Sequence, residues 1–368
     1  MSHFSVLVIG NDVDSQLQPF HEFECTGKND QYIQNIDITA DTREEYEKDT
    51  TRKLKSPDGQ LFDPYDDRFY REPTQEESKT IGTMLGSGIA RGVVYTSKDW
   101  GDGLGYRAKV QFIPEGYEEV VLPTQDTTTF ANFVEDWHGK ERINENATPD
   151  LDGDHKYGWY RVRSDGEVIE VIDRTNPNKK WDWWVIGGRW TGFFKLKDGA
   201  TGQLGEPGLM TDPARSGYAD IARKSDIDFG AMRDEAANKA AKQWDDAHEA
   251  AGDSWESFKS IRERISDIDL ARAEYRGQPA IQKMHERRIY WDVDQFLAPR
   301  EDFIQAARIA AAVPYAIVKD GEWFARGEMG WWGVSLDESD KSEWAERVTT
   351  LLDGLPDDTI LTAVDCHI

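Results

Sequence analysis

The chain has 368 residues, with 70 Asp and Glu against 44 Lys and Arg, for a formal net charge of −26. That length builds two domains or one core with a large insertion, since single cores stop growing beyond about 250 to 300 residues. The charge excludes a general affinity for nucleic acid backbone or anionic membrane, which clustered Lys and Arg drive by releasing counterions.

Two cysteines, Cys25 and Cys366, exclude a multi-bridge disulfide scaffold. No stretch reaches the roughly 18 to 20 apolar residues of a membrane span. An acidic surface keeps a protein soluble, and it also imitates the charge of DNA.

Residues 4–9 combine β-branched and apolar residues and end at Gly10-Asn11-Asp12, which predicts a first strand closed by a turn. The run has no basic region before it and no small-residue cleavage site after it, so it does not read as a secretion signal, and the expected location is the cytoplasm. Residues 20–105 are mostly polar and read largely as loop, apart from a short helix near 43–54. Within them GTMLGSGIARG and WGDGLG have the spacing of a phosphate loop but lack its GK[ST] ending and a preceding strand.

Strand signals return at YRAKVQFI and EEVVLP, and a helix is predicted over 127–137 with Asp126 as its N-cap. GWYRVRS and EVIEVID, joined by Asp165-Gly166, predict a hairpin. WDWWVIG and TGFFKLK read as the next strand pair, with Gly187-Gly188-Arg189 near the bend.

Between 201 and 313 a Gly- and Pro-bearing linker leads into proline-free helical sequence, with Met232, Ala236, Ala240 and Trp244 spaced to share a face. Further helices are predicted over 255–275, 278–291 and 300–312, the last after Pro299. After Pro314 the sheet pattern resumes in YAIVKDGEWFARG, turning at Asp320-Gly321, and then in GWWGVS. A helix over 341–352, ended by Gly354 and Pro356, and a final strand TILTAVDCHI close the chain. The predicted fold class is α+β: an antiparallel, ferredoxin-like sheet from residues 1–200 and 314–368, with 201–313 as a large helical insertion. The first and last strands are expected side by side and antiparallel.

The opening MSHFSVLVIG, the middle PNKKWDWWVIGGRWTGFFKLK, the run ARKSDIDFGAMRDEA, VKDGEWFARGEMGWWGV and the end LPDDTILTAVDCHI together resemble a family of hypothetical proteins encoded by tailed bacteriophages. The resemblance spans nearly the whole chain and brings no assigned activity or catalytic residues. It implies an accessory protein made in the cytoplasm of an infected bacterium, instead of a virion part. The WDWW and GGRW pattern alone is also similar to Trp-rich strands in ferredoxin-like domains of some other phage and plasmid proteins.

Residues 180–194, KWDWWVIGGRWTGFF, carry four tryptophans. Strand alternation sends Trp181 and Trp183 to one face and Asp182 and Trp184 to the other. In one reading the sheet is simply covered on both faces. In the other, Trp183, Trp184 and Trp190 stack a base while Arg189 and amides freed by Gly187 and Gly188 hold a phosphate. Arg326, Trp331 and Trp332 would form a second wall.

A second candidate lies at the termini. Antiparallel first and last strands bring His3 near Cys366 and His367, with Cys25 or Asp365 to complete four zinc ligands. Neighbouring Cys366 and His367 face opposite sides of a strand, which opposes that set. The remaining histidines show no metal-binding spacing, DLDGDH lacks the rest of a calcium loop, and neither GxSxG nor SxxK occurs.

The functional expectation is a non-catalytic accessory protein that binds a host protein or a nucleotide-like ligand and interferes with a host process, host defence included. The alternatives are a metal-dependent nucleotide or phosphoester hydrolase and an acidic decoy that mimics DNA.

Overall fold

A computed structural model describes residues 3–22, 30–75, 93–96, 107–209, 215–252, 254–290, 292–329, 335–336 and 340–368. The chain divides into two compact units, one of Met1–Phe23 with Asn176–Ile368 and one of Glu24–Thr175. This differs from the predicted division. The helical stretch 201–313 belongs to the larger unit, and residues 24–175 leave the main sheet because their strands pair among themselves.

The chain opens with β1 (His3–Ile9) and a short helix α1 (Val13–Leu17). The smaller unit then holds β2 (Gln34–Asp37), α2 (Thr39–Lys48), β3 (Thr50–Lys55), β4 (Leu61–Phe62), β5 (Tyr70–Arg71), β6 (Val93–Thr96) and β7 (Arg107–Gln111). It continues with β8 (Glu118–Pro123), α3 (Phe130–His138), β9 (Glu141–Asn144), β10 (Gly158–Val162) and β11 (Val168–Thr175). Its strands form three small sheets, β2-β11-β10-β9, β4-β3-β8 and β5-β7-β6.

The predicted hairpin at Asp165-Gly166 is present as antiparallel β10 and β11, with Gly166 at a φ of 92° that favours glycine. Val134, Tyr160, Val162, Val168 and Val171 form a buried cluster between this sheet and α3. Two expectations are corrected. Residues 34–62 hold strands and a helix instead of loop, and that helix spans Thr39–Lys48, with β-branched Thr50 and Thr51 already in β3. The cap of α3 is Thr129, whose side chain accepts from the Asn132 amide, and not Asp126.

The larger unit resumes with β12 (Trp183–Gly188), β13 (Phe194–Lys195), β14 (Glu206–Pro207), β15 (Tyr218–Ala219) and β16 (Ile221–Arg223). Helices α4 (Phe229–Ala251), α5 (Phe258–Arg264), α6 (Ile268–Gly277), α7 (Pro279–Glu286) and α8 (Arg300–Ala310) follow. After them come β17 (Ala316–Lys319), β18 (Glu322–Ala325), β19 (Glu328–Met329), β20 (Ser335–Leu336), α9 (Lys341–Gly354) and β21 (Ile360–His367). The single helix expected over 255–275 is two, because Asp267 caps a new start by accepting from the Asp269 and Leu270 amides.

The main sheet runs β14-β12-β21-β1-β17-β18, with β16 also on β21. As predicted, β1 and β21 are antiparallel, with His3 opposite His367. The fully antiparallel, ferredoxin-like arrangement is corrected at two pairs, of which β12 with the short β14 is one. β1 and β17 run parallel, which makes the sheet mixed. Parallel neighbours need a crossover connection, and the long chain between them supplies it. The expected pairing of WDWWVIG with TGFFKLK is also corrected: β12 pairs with β21 and β14, and β13 with β15.

Alternation along β1, β17 and β21 gives the sheet two apolar faces. Leu7, Ile9, Ile317, Leu361 and Ala363 pack under Met232 of α4 and Trp344, Val348 and Leu352 of α9. Phe4, Val6, Val8, Ala316, Val318, Val364 and Cys366 pack under Leu17, Phe20 and Trp181. Helices α4 and α7 bury a further cluster that includes Ala247, Ala251, Trp255, Ile281, Met284 and Phe296. No helix among the described residues is long and apolar enough to cross a membrane.

Candidate functional site

The face covered by α4 and α9 changes character toward one end of the sheet. Residues directly opposite across paired strands share a face, so the pairs His3 with His367 and Trp183 with His367 align three rings across β1, β21 and β12. The two imidazole centroids lie 4.9 Å apart, edge to face. Trp183 stacks on His367 at 5.0 Å with 16° between planes, and it meets His3 edge-on at 5.2 Å.

Each imidazole is held by a carboxylate. His3 Nδ1 is 2.9 Å from Asp365 Oδ1, and His367 Nδ1 is 2.7 Å from Asp182 Oδ1. An Nδ1–H that donates to a carboxylate fixes the ring and leaves Nε2 as the nitrogen with a lone pair, the tautomer used by bases and metal ligands. Asp365 is 1 % exposed, whereas Trp183 is 43 % exposed. The site therefore has a buried anchor and an open aromatic rim.

The Gly187-Gly188-Arg189 turn is built around buried carboxylates. Gly187 and Gly188 have φ of 83° and 54°, the left-handed region that favours glycine. A Cβ at Gly187 would sit 2.7 Å from Asp220 Oδ2, and one at Gly188 would collide with the Asp365 side chain. Asp220 is fully buried. It accepts from Thr191 Oγ1 and from the amides of Gly192, Phe193 and Gly205 at 2.7 to 3.1 Å. Asp365 Oδ2 accepts from the Arg189 amide at 2.9 Å. The expectation of free amides for a phosphate is thus corrected, because internal carboxylates occupy that role. What the turn leaves exposed is the Arg189 side chain, with Trp190 half-buried.

The tryptophans divide between core and site. Trp181 is 4 % exposed, donates from Nε1 to the Leu17 carbonyl at 3.2 Å and belongs to the opposite apolar face. Trp184 packs against that same cluster, edge-on to Trp181 at 6.5 Å. The predicted sharing of a face by Trp181 and Trp183 fails because Asp182 is a bend and β12 starts only at Trp183. Among the described tryptophans, Trp183 is the one that joins His3 and His367. Arg326 follows β18, with β21, β1 and β17 between it and the β12 edge, and its guanidinium lies over the Tyr315 ring. It is not brought to Arg189. Trp331 and Trp332 lie outside the described residues.

The expected zinc set of His3, Cys366 and His367 is also corrected. Cys366 is fully buried against Phe4 and Val364 on the other face, and burial pushes its thiol well above the ordinary range. Cys25 lies outside the described residues. Among the described residues no group of three or more His, Cys, Asp or Glu side chains is arranged to hold a metal. Sequence reasoning named His3, His367 and Asp365 but missed Asp182 and Asp220 as partners. Asp365 and His367 stand two apart on a strand and so share a face, a legible signal. Nothing local marks Asp220.

Comparison of the chain with family models, curated proteins and solved structures returns no match.

Proposed function

We propose that this chain is a phage accessory protein that binds a nucleotide-like ligand at the His3, His367 and Trp183 face, and through it interferes with a host process. The carrying observation is that ring cluster: two carboxylate-anchored imidazoles beside a tryptophan that is 43 % exposed. A base stacks on the open side of Trp183, a contact worth about 1 to 3 kcal/mol. Arg189, exposed at the neighbouring turn, supplies a planar guanidinium for phosphate oxygens. The net charge of −26 favours a small ligand over a long polyanion.

The test is calorimetric titration with AMP, GMP, CMP and UMP. Saturable binding is expected, weakened about tenfold or more in Trp183→Ala, in line with the stacking contribution. Absence of saturable binding to all of them, or an affinity untouched by Trp183→Ala and Arg189→Ala, overturns the reading.

A further inference from the structure

The helical part of the larger unit holds a cleft of about 570 Å3, within the roughly 300 to 1,000 Å3 of small-molecule sites. Charges of both signs line it. Asp246 and Glu249, three apart on α4, come from one element, and Arg287 and Arg288 come from the segment after α7. Tyr290, 54 % exposed, and Phe296 add aromatic surface. These charges do not satisfy one another: among the described residues neither arginine ion-pairs with a carboxylate. Asp246 is held by Lys242 Nζ at 2.5 Å, which leaves Glu249 without a described ion-pair partner. By contrast Arg264, Arg300 and Arg308, in the same helical part, hold Glu256, Asp245 and Asp234.

Arg288 also stands where glycine is the usual choice. The end of α7 is closed by the Ile289 amide donating to the Met284 carbonyl at 2.9 Å and the Arg288 amide donating to the His285 carbonyl at 2.9 Å. That is a Schellman cap, with Arg288 at its left-handed position and a φ of 63°. A side chain is strained there, and no ion pair within the described fold offsets the strain. Departures from local preference of this kind gather where a side chain serves a function.

We propose that the cleft binds a short free peptide bearing an aromatic side chain. The Arg287 and Arg288 guanidiniums take its terminal carboxylate, which their planar donor forks suit. Glu249 takes its terminal ammonium, and the aromatic ring lies against Tyr290 and Phe296. A ligand with a carboxylate at one end and an ammonium at the other answers both signs of charge at once. A simple anion is repelled by Asp246 and Glu249. The cleft shares no residue with the His3, His367 and Trp183 cluster, so the two sites stand or fall separately.

The experiment titrates the full chain calorimetrically with the dipeptides Ala-Tyr, Tyr-Ala and Phe-Ala, and with N-acetylated and C-amidated forms of each. Saturable binding of at least one free dipeptide is expected. Blocking either terminus, Arg288→Gly and Glu249→Gln should each weaken it about tenfold or more, and Trp183→Ala should leave it unchanged. Because glycine relieves the left-handed strain, Arg288→Gly is expected to melt no lower than the parent chain, which separates lost binding from lost folding. No saturable binding of any free dipeptide overturns the proposal. Binding that survives N-acetylation and Glu249→Gln overturns the dipolar ligand and marks a site for simple anions. Binding untouched by both Arg287→Ala and Arg288→Gly, or lost in Trp183→Ala, places the peptide elsewhere and overturns the assignment to the cleft.

Discussion

At the residue scale, the decisive contacts are buried carboxylates that take the place of ligand anions. Asp220 satisfies four donors around the turn after β12, so Asp220→Ala strands three half-buried amides and a hydroxyl. Each unsatisfied group costs about 1 to 3 kcal/mol. The expected loss is therefore several kcal/mol, read by urea denaturation. A loss below about 1 kcal/mol would show that water replaces the carboxylate. Cys366 gives a second residue-level prediction. Its raised thiol pKa means that the unfolded chain ionises first, so its stability contribution is present below about pH 8.5 and is lost as pH climbs toward the folded value. In the native state at pH 8, peptide mapping after alkylation should find Cys366 unmodified, and modified once urea is added. Rapid native labelling would contradict its burial.

At the element scale, what was legible had local causes. The turns at Asp165-Gly166 and Asp320-Gly321 announced their hairpins, and Asp320 and Gly321 take the positive φ values of 54° and 77° that such turns demand. Asp320→Val is accordingly expected to cost about 1 to 2 kcal/mol, whereas Asp320→Asn should be nearly neutral, a contrast read from paired thermal melts. The antiparallel union of β1 and β21 was also legible, since both strands are apolar and close the chain's two ends.

The parallel β1 and β17 pair was not, because nothing in either strand encodes a partner more than 300 residues away. The tryptophans show the same limit. A one-residue bend at Asp182 reversed the face of everything after Trp181, and strand periodicity carries no mark of it. His3, His367 and Asp365 were found through the β1 and β21 pairing, while Asp182, the partner of His367, emerged only with the three-strand register.

At the scale of the whole molecule, the net charge of −26 sets the background for every local contact. Like charges across an acidic surface repel, and salt screens them over a Debye length of about 8 Å at physiological ionic strength. The melting temperature is therefore expected to rise as sodium chloride is raised from about 0.02 to 0.5 M. A fall would mean that the exposed ion pairs, such as Arg300 with Asp245 and Arg264 with Glu256, outweigh the repulsion.

Each of the two units buries its own apolar clusters, and the larger one also buries the Asp220 and Asp365 carboxylates beside them. Within the larger unit the ring cluster is where the polar end of the sheet meets solvent. The most direct measurement is an NMR titration of histidine-labelled protein with AMP, following the ring signals of its seven histidines. The account predicts saturable shifts at His3 and His367 that vanish in Trp183→Ala, with the other histidines unmoved. Shifts spread evenly over all of them, or none at His3 and His367, would contradict it.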